Sequence, residues 1–230
     1  MSDYIVASCK PWHKAAYEKF IKQHKGSWHW VDSPTDLNEV LTKVKPRYIF
    51  FLHWNWKVPK EVWQPYECIC FHMTDLPYGR GGSPLQNLIL AGHKETKLTA
   101  LRMVEELDAG PIYTKRDLSL QGRAEDIYIE AGLISFEIIE WMIQENPTPV
   151  EQQGEPTFFQ RRKPVQSQLP DTKDVSALYD FIRMLDAESY PPAFIEYGRI
   201  RLNFSNAQLE DNMLKATVTF DFVNEAKDAN

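Results

Sequence analysis

Between Tyr4 and His53 the chain spells strand, helix, strand, helix, strand, and few folds accept that order. Tyr4–Ser8 (YIVAS) is a short, β-branched apolar run, as a buried strand requires. The loop Cys9-Lys10-Pro11-Trp12 follows, and a helix is expected from Trp12 to His24, with Gly26 as its stop. Ser27–Val31 (SWHWV) alternates and predicts a second strand. Ser33-Pro34 reads as an N-cap followed by a first-turn proline, and Leu37, Val40, Leu41 and Val44 then share one helical face. Pro46 ends that helix, and Arg47–His53 (RYIFFLH) is apolar enough for a central third strand. The alternation implies right-handed crossovers and an α/β fold: a mostly parallel open sheet with helices on both faces. Ligands in such sheets bind beyond the carboxyl ends of the strands. That rule selects three loops, Cys9–Trp12, Trp54–Pro59 and Met73–Pro84.

Further along, a short helix to Tyr66 leads into a strand at Glu67–His72, and Ser83-Pro84 opens a helix running to Gly92. Glu95–Val104 and Pro111–Thr114 read as strands. Arg123–Glu145 is the longest helix signal, with Ile127, Ala131, Ile134, Ile138 and Trp141 as its apolar stripe and Glu125 and Asp126 at its start. Glu151–Pro170 is polar and proline-bearing, and is expected to cross the surface as a loop. Val175, Leu178, Tyr179, Ile182 and Leu185 form another helical stripe. After Tyr190-Pro191-Pro192, Phe194–Val223 is expected to hold a few β-strands around an Asn/Asp turn, with a polar tail beyond Val223. The division expected is a main domain over 1–170 and a small helix and β-strand appendage over 171–230.

Charge and cysteine usage narrow the class. A net charge of −6 argues against a dedicated nucleic-acid binder. Cys9, Cys68 and Cys70 are odd in number, and the last two sit two apart on a strand, a poor geometry for a disulfide or a zinc chelate. Reduced thiols and a cytoplasmic location are therefore expected. The start of the chain lacks the pattern of a signal peptide, no run is long enough to span a membrane, and no metal motif occurs. A Gly-x-Ser-x-Gly elbow is also absent.

The candidate residues are weak singly. His72 ends a strand and precedes a loop holding Asp75, Arg80 and three glycines. Asp108, before Ala-Gly-Pro, could equally be a turn aspartate. Gly79-Arg80-Gly81-Gly82 fits neither dinucleotide nor P-loop spacing, and a flexible turn explains it as well. Arg161-Arg162-Lys163 reads as a solvated face, and His13, His24, His29 and His93 as packing or surface residues without helpful neighbours.

In combination they carry a family pattern. Cys70–Pro84 (CFHMTDLPYGRGGSP) resembles the formyltransferase signature N-x-H-x-S-L-L-P-x-x-R-G-x-x-P. His72, Leu76, Pro77, Arg80, Gly81 and Pro84 match it, and Thr74 replaces the serine. Glu106-Leu107-Asp108-Ala109-Gly110-Pro111-Ile112 resembles that family's D-A-G-x-I segment, 36 residues after His72. Trp54–Pro59 stands where the family has A-Y-G-x-I-L-P. Phe181-Ile182-Arg183 and Tyr190-Pro191-Pro192-Ala193-Phe194 resemble its I-R and W/Y-P-G-A-F elements. Two departures stand out: the family's asparagine is Cys70 here, and its first leucine is Asp75.

The resemblance implies a formyltransferase, Rossmann-like fold and a 10-formyltetrahydrofolate-dependent N-formyltransferase with no metal. His72 and Asp108 would be catalytic, Asp108 acting on His72 directly or through a water. A thiol at Cys70 is a weak donor, so Asn55 is a candidate for the oxyanion, with backbone N–H groups or water as the alternatives. The donor's pterin would lie against Trp54, Trp56, Leu76, Glu105 and Leu107. Lys10, Asp75, Arg80 and Arg161 are candidates for the acceptor. Among relatives of this type, those acting on methionyl-tRNA carry a basic C-terminal domain, whereas 36 residues follow Phe194 here. The acceptor expected is thus an amino sugar, nucleotide-linked and destined for surface polysaccharide. A small phosphorylated amine, a hydrolytic outcome on the same folate, and a non-catalytic binding protein are the alternatives. A homodimer is a family-level expectation.

Overall fold

The computed structural model describes residues 2–188 and 190–222. In chain order the elements are β1 (Asp3–Ala7), α1 (Trp12–Ile21), β2 (Ser27–Val31), α2 (Pro34–Leu41), β3 (Tyr48–Phe51), α3 (Lys60–Trp63), β4 (Cys68–His72) and β5 (Arg80–Gly81). There follow α4 (Pro84–Leu90), β6 (Glu95–Arg102), β7 (Ile112–Ser119), α5 (Ala124–Glu145) and β8 (Phe158–Phe159). After a single 3₁₀ turn (Pro164–Ser167) come α6 (Val175–Arg183), β9 (Ala193–Tyr197), β10 (Ile200–Glu210) and β11 (Met213–Phe222). The expected strands and tail reach Val223 and beyond, and that part lies outside the described residues.

Two compact units divide the chain. The first comprises Met1–Pro84, Glu95–Ser119 and Ile129–Phe159. It holds a six-stranded sheet in the order β2-β1-β3-β4-β6-β7. β2, β1, β3 and β4 pair in parallel. β6 and β7 add on as antiparallel strands, so the parallel expectation holds for the part built from strand–helix crossovers. All four residues of β3 are buried, which is why that strand reads as unbroken YIFF in the centre. Ile5, Ala7, Ile49 and Phe51 turn to one face and pack with Leu37 of α2 and Val62 of α3. Tyr48 turns to the other, where its hydroxyl donates to Asn146 just past α5 (3.0 Å). Helices therefore cover both faces of the sheet. Ser33 caps α2 by accepting from the Asp36 N–H (3.2 Å), with Pro34 at the first helical position.

The second unit comprises Leu85–Lys94, Leu120–Tyr128 and Gln160–Asn230. Its strands form an antiparallel sheet, β11-β10-β9. The β10–β11 hairpin turns on Asp211 and Asn212, both at positive φ (46° and 62°), the signature of a tight two-residue turn. Arg183 is buried on α6 and is satisfied there: Nη1 donates to the carbonyls of Leu120 (2.6 Å) and Gly122 (2.8 Å), and Nε to Asp180 (2.6 Å). No helix among the described residues is long and apolar enough to cross a membrane.

Several boundaries differ from the sequence reading. α1 ends at Ile21, short of His24, because the Gln23 N–H closes a tighter turn onto Phe20 (3.0 Å). β3 stops at Phe51, since His53 takes a φ of 48° that no strand accommodates. β7 runs on to Ser119, five residues past the expected Thr114, paired along β6. On α5, Ile139 and Met142 are fully buried while Trp141 is only half-buried under Arg116. The segment read as a surface loop after Glu151 contains β8, which pairs with β5.

Candidate active site

β4 lies between β3 and β6, with Cys70 opposite Phe51 on one side and Leu101 on the other. It delivers His72 to the carboxyl end of the sheet at 7% exposure. The imidazole is fixed by its neighbours. Nε2 lies 2.8 Å from the Gly79 carbonyl oxygen. A carbonyl only accepts, so this nitrogen carries the proton. Nδ1 is left facing Asp108, whose Oδ2 is 3.6 Å away. In the ring with its proton on Nε2, that nitrogen is a lone pair pointed at a carboxylate.

The loop that follows is held, in contrast to the free turn its glycines allow. Arg80 and Gly81 pair in parallel with Phe158 and Phe159. The Gly79 N–H donates to the Thr157 hydroxyl (2.7 Å), and the Thr74 hydroxyl to the Gly79 carbonyl (3.4 Å). Gly81 has a φ of 106°, and a Cβ there would stand 2.5 Å from the Phe159 carbonyl oxygen, so the residue must be glycine.

Asp108 comes from an unexpected direction. β6 runs antiparallel to β4, so the loop after it starts beside Cys68, where the Met103 N–H donates to the Cys68 carbonyl (2.8 Å). The loop then doubles back to His72. At Asp108 the backbone is left-handed (φ 54°), and Oδ2 accepts from the Gly81 N–H (2.9 Å). Gln152 clamps this loop: its Nε2 donates to the carbonyls of Asp108 (2.8 Å) and Gly110 (2.9 Å). Its Oε1 accepts from Arg80 Nε (3.2 Å) and Nη2 (2.9 Å), while Arg80 Nη1 reaches Glu106 (3.2 Å). The sequence reading missed Gln152, an unremarkable amide in a polar stretch.

His72, Asp108, Arg80 and Cys70 are thus brought together. The Cys70 thiol is pushed up by burial and by the Asp108 charge, and stays neutral. Cys68 is pushed up to about 12 by burial. The Arg80 guanidinium is engaged by Gln152 and Glu106. Asp75 is exposed and ion-paired with Lys115, which also donates to the Leu76 carbonyl (2.6 Å). Leu76 itself is wholly buried, so its side chain is core. Glu105 and Leu107 are exposed on the Asp108 loop. Arg161 is exposed in the second unit.

Beyond β3, Trp54 packs edge-on against Phe51 (5.7 Å) and Trp56 (4.9 Å), and the Asn55 side chain is exposed. Lys10 lies over the Trp12 ring (5.6 Å). The expectation that His13 lacks a helpful neighbour is corrected: it is buried on α1, and its Nε2 meets His53 Nδ1 at 2.8 Å. Both rings are held neutral. Burial, then the Lys10 charge, lowers His13 to about 4. Burial, then His13 and Lys10, holds His53 well below its ordinary range. The unfolded chain binds protons that these rings refuse, so their stabilisation is complete above pH 6.5 and drains away as pH falls toward 4. Urea unfolding should show stability falling by up to about 1.4 kcal/mol per pH unit per histidine across that window. A His13→Leu variant should show a shallower slope, and an identical slope would refute the assignment.

A buried strand-end imidazole faces a carboxylate beside a pinned Pro/Gly loop, and the open α/β sheet that carries them has the formyltransferase fold. Comparison with known proteins agrees. Residues 164–221 match the family model for the methionyl-tRNA formyltransferase C-terminal domain. The chain is 32% identical over 160 residues to a methionyl-tRNA formyltransferase of Bacillus thuringiensis (strain Al Hakam), a match covering 66% of this chain and 51% of that protein. It therefore spans about half the length of the curated relatives it matches. It is 42% identical to a solved methionyl-tRNA formyltransferase from Clostridium thermocellum, with a TM-score of 0.93, covering 97% of this chain and 100% of that one. An N-formyltransferase from Helicobacter canadensis, solved with folinic acid and dTDP-3-aminofucose, shares the fold at 16% identity and a TM-score of 0.60 (88% and 95% covered). The chain belongs to the formyltransferase family.

Proposed function

We propose that this protein moves a formyl group from 10-formyltetrahydrofolate to the primary amine of a nucleotide-linked amino sugar. The observation that carries the chemistry is the anchoring of His72, with Nε2–H on the Gly79 carbonyl and Nδ1 turned to Asp108. The nitrogen of an amine that attacks a formyl carbon becomes positively charged as the C–N bond forms, and must shed one of its own protons. Nδ1 takes that proton, and the imidazolium so made sits between the Gly79 carbonyl and the Asp108 carboxylate, both of which stabilise it. His72 then returns the proton to the departing nitrogen as the old C–N bond breaks. The Gly79, Arg80 and Gly81 N–H groups of the pinned loop are already bonded to Thr157 and Asp108, so the exposed Asn55 amide is the donor proposed for the developing oxyanion. One such donor contributes about 3 kcal/mol. The neutral Cys70 thiol adds little.

The folate supplies the formyl group. Residues 54–56 and 105–108 would hold its pterin ring, and they suit a flat heteroaromatic surface: Trp56 is 44% and Leu107 69% exposed, apolar side chains open to solvent. The H. canadensis enzyme, solved with folinic acid and a dTDP-amino sugar, supports a donor and acceptor of these kinds. The net charge of −6 favours a small acceptor over a polyanion. Lys10 and Arg161 remain candidates for its phosphates. Methionyl-tRNA is the second reading, favoured by the 42% identity to a protein of that name and by the match over 164–221.

Incubation with 10-formyltetrahydrofolate and, separately, amino sugar nucleotides, a small phosphorylated amine and methionyl-tRNA decides between them by mass spectrometry. A formylated sugar nucleotide supports the first reading, and formylated methionyl-tRNA alone replaces it with the second. Free formate without a formylated product would mean hydrolysis, and no turnover with any acceptor would mean a binding role; either overturns the transferase reading.

A further inference from the structure

The chemistry above makes no use of the His13–His53 pair, yet the fold goes to some length to build it. The two rings stack at 5.0 Å between centroids, 20° from parallel, with the 2.8 Å contact between Nε2 and Nδ1. Gly132 of α5 makes the seat for His13: a Cβ at that position would stand 2.3 Å from its Nδ1. A small residue is thus required in a helix interior, where glycine is otherwise a poor choice. His53 is held by His13 on its ring, by the edge of the Trp12 ring (6.4 Å), and by the Cys9 thiol, which donates to its carbonyl (3.1 Å). Its backbone is left-handed at φ 48°, a conformation a residue with a Cβ adopts only when its surroundings enforce it. The titratable groups facing the pair from the β1–α1 loop are Lys10 and Cys9. The next residues in the chain are Trp54, Asn55 and Trp56.

An apolar pair could fill this volume without leaving two imidazoles desolvated. What an apolar pair lacks is direction: a hydrogen bond with one donor and one acceptor orients the His53 ring, and through it the angle at which the chain leaves β3. We propose that His13 is a positioning residue for the donor-binding loop, setting residues 54–56 through His53 and so setting the affinity for the folate. This rests on the formyl-folate reading above. His13 touches no reacting atom; it acts through its partner ring.

The test uses the whole protein and two readouts. In the free protein, amide hydrogen exchange over residues 53–57 should quicken by about tenfold in His13→Leu, the equivalent of one lost buried hydrogen bond. It should stay near wild type in His13→Gln, whose amide can reach the same ring nitrogen. Gly132→Ala, which crowds His13 from the far side, should quicken the same amides and serves if His13→Leu fails to fold. In tryptophan fluorescence titrations the dissociation constant for folinic acid should rise about tenfold in His13→Leu, while the KM for the amine acceptor changes little. Unchanged exchange in both His13→Leu and Gly132→Ala overturns the proposal. So does quickened exchange with unchanged folinic acid affinity. A wild-type protein that binds no folinic acid refutes the donor reading instead, and the exchange result then decides by itself whether His13 positions the loop.

Discussion

His72→Ala is expected to fold and to lose about 10²- to 10⁴-fold in kcat, the usual worth of a positioned acid–base group. Stability should suffer little, because the variant gives up one hydrogen bond to Gly79, worth about 1 kcal/mol. His72→Gln sharpens the test: its amide can keep the Gly79 contact while offering no proton acceptor toward Asp108. If the imidazole is the proton carrier, both variants lose turnover alike, and the glutamine form keeps the wild-type melting temperature. A folded alanine variant with near-normal turnover would remove His72 from the chemistry.

Gly110→Ala should be strongly damaging, having the shortest Cβ approach among the described glycines. A Cβ there would stand 1.8 Å from the Arg102 carbonyl oxygen and 3.0 Å from its carbon, both backbone atoms with nowhere to go. The doubled-back loop must then lift from β6, which breaks the Gln152 contacts to Asp108 and Gly110. A loss of about 3 kcal/mol or more in urea unfolding is expected, at the high end for overpacking. Gly92→Ala is the control: nothing lies within 4 Å of its Cβ, and only the φ of +83° resists, for about 1 kcal/mol. Equal effects at the two positions would contradict the close approach at Gly110.

Much of this was legible in the chain, and the reasons differ by element. The alternation over residues 4–53 gives the parallel core directly, since crossover strands buried on both faces have no choice but to be apolar. The antiparallel arrival of β6 is a different matter. Its residues alternate only loosely, and nothing local says which way a strand enters a sheet. The strand-end rule therefore found His72 but could not have found Asp108, whose loop begins at the other end of β4. Asp108 was found through the family pattern alone. Gln152 and His53 were invisible for a related reason: their partners lie 44 and 40 residues away, and a hydrogen bond at that range leaves no local periodicity. Arg80 shows another limit: residue type suggested a ligand contact, and nothing local announced that its guanidinium also meets Gln152 and Glu106.

The clamp at residues 152–159 has a consequence for anyone seeking a smaller version of this protein. A truncated form ending before residue 150 would keep every strand of the six-stranded sheet. It would nonetheless lack the hand that grips Arg80, Gly81 and the Asp108 carbonyl. Such a fragment should have no working centre, so competence here cannot be pared down to the sheet that carries it.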